Sequence, residues 1–93
     1  MYTYFSSAAK CPDMNFMYPG NNIANPAAKN WKECAVYCYK NSKCKAFTYT
    51  INKKRCSLKA KIVRRKAKSG KVSGTRGCAV ANKGYHSKYY GLI

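Results

Sequence analysis

The residues of this 93-residue chain best equipped for chemistry are its cations. Lys59, Lys61, Arg64, Arg65, Lys66, Lys68, Lys71 and Arg76 crowd into one short stretch, with Lys43, Lys45 and Arg55 as an extension upstream. Arg64-Arg65-Lys66-x-Lys68 has the form of a basic cluster that grips a sulfated polymer. Anionic groups spaced along such a chain need several cations on one surface, and guanidinium forks take oxygens two at a time. The whole composition leans the same way: 19 Lys+Arg stand against 2 Asp+Glu, a formal net charge of +17. Such a chain gathers anions and repels its own copies, so it is expected to be a monomer in the absence of ligand.

The same arithmetic argues against catalysis. Asp13 and Glu33 are the only carboxylates, which leaves no spare acid–base pair. His86, the single histidine, lies between Tyr85 and Ser87 in a Gly/Lys/Tyr-rich stretch that reads as a solvated loop and not as part of a triad. No enzyme activity and no cofactor are expected. The cysteines at 11, 34, 38, 44, 56 and 78 lack the CxxC pairs or Cys/His clusters of a zinc site, so no metal is expected either. In so short a chain, six cysteines read as three disulfides formed in an oxidising compartment. No apolar run reaches transmembrane length, and Met1–Phe5 is aromatic and polar. The chain therefore reads as a mature secreted protein whose leader is absent.

Three partner classes fit this balance. Sulfated glycosaminoglycans or another acidic matrix polymer fit the cation cluster best. Nucleic acid is also a polyanion, but no groove-reading element is visible and Phe47 and Tyr49 are better used in a core. Binding to it is expected to be nonspecific and confined to the test tube. A structural role is the alternative. Tyr2, Tyr4, Tyr85, Tyr89 and Tyr90 lie near the chain ends among Ser, Gly and Lys. That mixture resembles marine adhesive proteins, in which tyrosine becomes a catechol and lysine displaces surface ions. It implies a cationic, tyrosine-rich adhesive or extracellular-matrix protein, with association to mineral as one form of the role.

The elements that must position these groups fit one small domain. Residues 1–10 read as a flexible arm, 11–81 as the domain and 82–93 as a Tyr/Lys/Gly-rich tail. Turn chemistry runs through Pro12, Pro19-Gly20 and Asn25-Pro26, with a short strand signal at Met14, Phe16 and Tyr18. A helix is predicted from about Trp31 to Lys40. Asn30 is its N-cap, Glu33 stands at N3, and Trp31, Cys34, Ala35 and Cys38 form its buried stripe. Lys40 and Lys43 are expected to complement its C-terminal end. Strands follow at Lys45–Ile51 and Arg55–Lys61, joined by a turn at Asn52-Lys53-Lys54. Alternation puts Cys56, Leu58 and Ala60 on one face and a row of exposed cations, Lys59 included, on the other. Residues 61–77 are dominated by Lys, Arg, Gly and Ser, interrupted by the apolar Ile62-Val63 and Val72, and carry no strand signal, while Cys78–Ala81 reads as a closing strand.

Taken together, Cys11, Pro19-Gly20-Asn21-Asn22-Ile23, Trp31-Lys-Glu-Cys-Ala-x-x-Cys38, Asn41-Ser-Lys-Cys-Lys-Ala-Phe-Thr-Tyr49, Cys56-Ser-Leu-Lys59 and Ser73-Gly-Thr-Arg-Gly-Cys78 make the chain similar to the PAN/apple family over about residues 11–78. The resemblance implies a small disulfide-rich α+β fold, one helix cradled by an antiparallel sheet of about five strands. It also implies Cys34–Cys56 and Cys38–Cys44 bridges tying helix to strands, and Cys11–Cys78 joining the domain's ends. Spacing alone does not choose among the fifteen pairings open to six cysteines. It is compatible with the first two: Cys34 and Cys38 share the inner face of the helix, Cys56 faces it by strand parity, and a short loop joins Cys38 to Cys44. The third rests on the resemblance. Family members resemble docking units that bind proteins, heparin-like glycans or galactose-type sugars. A protein partner through this module and a galactose-type lectin therefore stand beside the polyanion reading.

Overall fold

A computed structural model describes residues 11–78. Among these residues there are five strands: β1 (Asp13–Met17), β2 (Asn22–Ala24), β3 (Ala46–Thr50), β4 (Arg55–Lys59) and β5 (Lys66–Thr75). One helix, α1 (Trp31–Lys40), separates β2 from β3. The strands form a single sheet in the order β1-β5-β3-β4-β2, every neighbouring pair antiparallel. This is the α+β architecture expected, one helix on a five-stranded antiparallel sheet.

The helix forms where its caps predict. The Asn30 side chain accepts from the Glu33 backbone N–H at 2.9 Å. Glu33 Oε1 accepts from the N–H of Lys29 at 2.7 Å, one residue earlier than the N-cap N–H that a capping box usually satisfies. Glu33 also sets a negative charge at the positive end of the helix dipole. Cys34, Ala35, Val36 and Cys38 are buried, with Trp31 half-buried and parallel to the Phe47 ring at 6.5 Å. Disulfides join Cys34 to Cys56 and Cys38 to Cys44, fixing the helix to the sheet, and Cys11 to Cys78, closing the described chain on itself. In a core this small, each such bridge typically contributes about 2–4 kcal/mol.

Strand β3 is central, and Ala46, Phe47, Thr48 and Tyr49 are buried on both faces. Toward the helix, Phe47, Tyr49, Leu58, Cys56 and Val72 join the helix stripe in one core. Away from it the buried layer is polar. Thr48 Oγ1 accepts from the Tyr18 N–H and lies 2.9 Å from Ser73 Oγ, which donates to the Phe16 carbonyl. Phe47 lies opposite Gly74, where a Cβ would approach the phenyl ring to 2.8 Å, so glycine is what lets that ring lie flat on β5.

Three expectations are corrected. β5 forms inside the Lys/Arg/Gly/Ser-dominated stretch 61–77, where no strand was expected. Cys78 follows a turn and is not in a strand, while 79–81 lie outside the described residues. Lys59 is buried, not exposed, because the chain at Asn21 and Asn22 covers the end of β4: Asn22 pairs with Lys59, and Ala60 N–H donates to the Asn21 carbonyl. The arm, the tail, His86 and Tyr2, Tyr4, Tyr85, Tyr89 and Tyr90 lie outside the described residues.

Candidate cationic binding surface

Sheet register decides which of the cations are presented. β5 is longer than its neighbours: Lys66 and Ala67 pair with Met17 and Phe16 of β1, whereas β3 first meets β5 at Lys71, opposite Thr50. The outer half of β5 therefore has a strand on one side only, and Lys66 and Lys68 are exposed. Lys61 and Arg64, on the preceding loop, are exposed as well. These four exposed cations follow one another along the chain from the β4–β5 loop into β5. Both carboxylates are engaged elsewhere, Asp13 with Arg65 and Glu33 with the Lys29 N–H.

Of the other members of the sequence cluster, Arg65, Lys59 and Arg76 hold structure. Arg65 is ion-paired with the buried Asp13, and its guanidinium carbon lies 5.0 Å from the centre of the Phe16 ring. Lys59 donates to Asn22 Oδ1, and burial, then the nearby Lys71 charge, pull its ammonium below the usual lysine range. Lys71 donates to Thr50 Oγ1 at 2.7 Å. Arg76 reaches the C-terminal end of α1, donating to the carbonyls of Tyr39 at 2.6 Å and of Cys38 and Cys44 at 3.2 Å. It also lies 5.3 Å from the Tyr39 ring centre. Lys40 stands in the last turn of α1 as expected, and Arg76, 38 positions from Cys38, adds direct hydrogen bonds at that end.

In the upstream extension Lys43, Lys45 and Arg55 are exposed, and Arg55 donates to the Asn25 carbonyl at 3.0 Å. Beside the run lies an open cavity of about 500 Å³. Phe16, Tyr18, Ile62 and Val63 supply apolar surface, and Arg64 and Arg65 line it as well. Sequence reasoning missed Lys53. The β3–β4 turn carries it to Lys68 and Lys71 around a second hollow of about 510 Å³. Only the pairing of β3 with β5 brings those lysines together, so no local signal marks them.

Among the described residues no group of three or more His, Cys, Asp or Glu side chains is placed to hold a metal, and no helix is long and apolar enough to cross a membrane. A search of characterised proteins returned no match. The family model described as the PAN domain matches residues 11–85. PAN domains mediate protein or carbohydrate binding and are generally non-catalytic. With that match, one helix on a five-stranded antiparallel sheet and three disulfides, the chain belongs to the PAN domain family.

Proposed function

We propose that this PAN domain is a secreted, non-catalytic module that binds polyanions, foremost sulfated glycosaminoglycans or an acidic matrix polymer. Lys61, Arg64, Lys66 and Lys68 carry the contact, and Lys71 and Lys53 extend it. The observation that supports this reading is the exposed run itself: four cations within eight residues, on a loop and strand edge, with both carboxylates of the chain committed elsewhere. Arg65 and Arg76 hold the local structure that presents the run. Three disulfides fit an oxidising, extracellular setting.

The test is salt elution from heparin resin beside a sulfonate resin of matched charge density. Counterion release makes both salt-sensitive, by analogy with nucleic-acid phosphates, so the comparison carries the information. Elution from heparin at clearly higher salt is expected. Changing Arg64, Lys66 and Lys68 together to Gln should abolish that difference, whereas changing Lys29, Lys40 and Lys54 should leave most of it. Coincident elution of the parent from the two resins would sink the proposal.

A further inference from the structure

A second cationic surface shares Lys53, Lys68 and Lys71 with the first, and it has an apolar centre. Met14 and Ile51 are 52% and 48% exposed, unusually open for large apolar side chains on so charged a protein. Sheet register brings them together. Met14 lies opposite Val72, Val72 lies opposite Tyr49, and Ile51 follows two residues later on the β3–β4 turn. With Trp31 and Val72 they line a hollow of about 280 Å³ that Lys29 and Lys54 also border. Across Ile51, Lys53, Lys68 and Lys71 wall the 510 Å³ hollow beside the hydroxyl-bearing Thr50 and Ser69. Five lysines thus line the two hollows beside two exposed apolar side chains, and among the described residues no carboxylate lines either hollow.

The chemistry selects the partner. A sulfated glycan has little use for Met14 and Ile51, and a neutral sugar has none for five lysines. A bilayer with anionic headgroups uses both. Short apolar side chains enter the boundary between headgroup and acyl chain, while lysine stems lie along the apolar surface and their ammonium groups meet phosphate or carboxylate. Trp31 borders the same hollow, and its indole suits that boundary. We propose that this end of the domain docks on anionic lipid bilayers, with Met14 and Ile51 as shallow anchors and Lys29, Lys53, Lys54, Lys68 and Lys71 as headgroup contacts. The proposal shares lysines with the glycan reading but rests on Met14 and Ile51, which that reading does not use.

The experiment is co-sedimentation of the full chain with phosphatidylserine/phosphatidylcholine vesicles and with phosphatidylcholine alone, with Trp31 emission followed in parallel, since Trp31 is the only tryptophan. Sedimentation with the mixed vesicles only, and a blue shift of Trp31, are expected. Met14→Ser with Ile51→Ser should lower partitioning about tenfold and leave heparin elution unchanged, because no charge is altered. Lys53→Gln with Lys68→Gln should lower it by about twenty-five-fold, from roughly fivefold per headgroup contact. Both apolar residues are exposed, so the variant keeps its fold, which unchanged near-ultraviolet dichroism verifies. Equal partitioning of the apolar variant and its parent, binding to phosphatidylcholine alone, or an unmoved Trp31 emission would each overturn the proposal. Failure to sediment at all would overturn it too, and would leave an acidic protein as the occupant of this face.

Discussion

Arg65, on the loop just before β5, and Asp13 of β1 form an ion pair, with the carboxylate almost wholly buried and the guanidinium about a quarter exposed. Adjacent arginines in the sequence cluster thus have different work: Arg65 fastens the edge of the sheet, and Arg64 faces solvent. Arg64→Gln should weaken heparin binding with little change in unfolding midpoint. Arg65→Gln should do the reverse, costing roughly 2–3 kcal/mol by leaving Asp13 buried and unpaired, less than for a fully buried pair because Arg65 is partly hydrated. Urea unfolding and heparin elution on the two variants separate the roles, and equal effects on both readouts would refute the division.

Arg76 fastens the last turn of α1 and the loop after it to the end of β5 by donating to the carbonyls of Cys38, Tyr39 and Cys44. Arg76→Ala should cost about 2–3 kcal/mol, the range for hydrogen bonds from a charged donor. Arg76→Lys should recover less than half, since one ammonium cannot span the carbonyls that a planar fork reaches. Thermal unfolding checks both, and full recovery by lysine would show that charge alone suffices.

Gly74 lies beneath the Phe47 ring. Gly74→Ala should destabilise the fold by about 1–3 kcal/mol through overpacking, because the ring is held between β5 and the helix. Adding Phe47→Leu should rescue part of that loss. A double-mutant cycle on unfolding free energies measures the coupling.

Tyr49 donates its hydroxyl to the Ala28 carbonyl at 2.8 Å, and burial, then the Glu33 charge, raise its phenol above the usual value of 10.0. Above that pH the unfolded chain releases the proton while the folded chain keeps it, so stability falls as pH rises through the window between the unfolded and folded values. Tyr49→Phe should cost about 1 kcal/mol near neutrality through the lost hydrogen bond, and the gap to the parent should narrow above pH 10. Unfolding midpoints of both proteins between about pH 8 and 11 test this; a gap that widens would reverse the assignment.

Much of this protein is set by local chemistry. Asn30 and Glu33 cap α1 whatever packs around it, because both acceptors meet backbone N–H groups within one turn. The apolar spacing of Cys34, Ala35 and Cys38 and the strand signals in Ala46–Thr50 and Arg55–Lys59 were likewise legible, since each depends on side chains a few residues apart. The excess of cations needs no fold to be recognised. β5 was not legible, because its burial comes from its neighbours and not from its own alternation: Val72, Ser73 and Gly74 are buried in succession where β1 and β3 flank them, while Lys66 to Ser69 stay exposed where β3 has ended. For the same reason one sequence cluster resolves into unlike parts. Lys59 disappears beneath Asn22, Arg65 is spent on Asp13, Arg76 caps a distant helix, and Lys53 arrives from another turn to stand with Lys68. Composition determines that the chain is cationic; long-range pairing decides which cations face outward, because a side chain's exposure depends on what the rest of the chain lays over it.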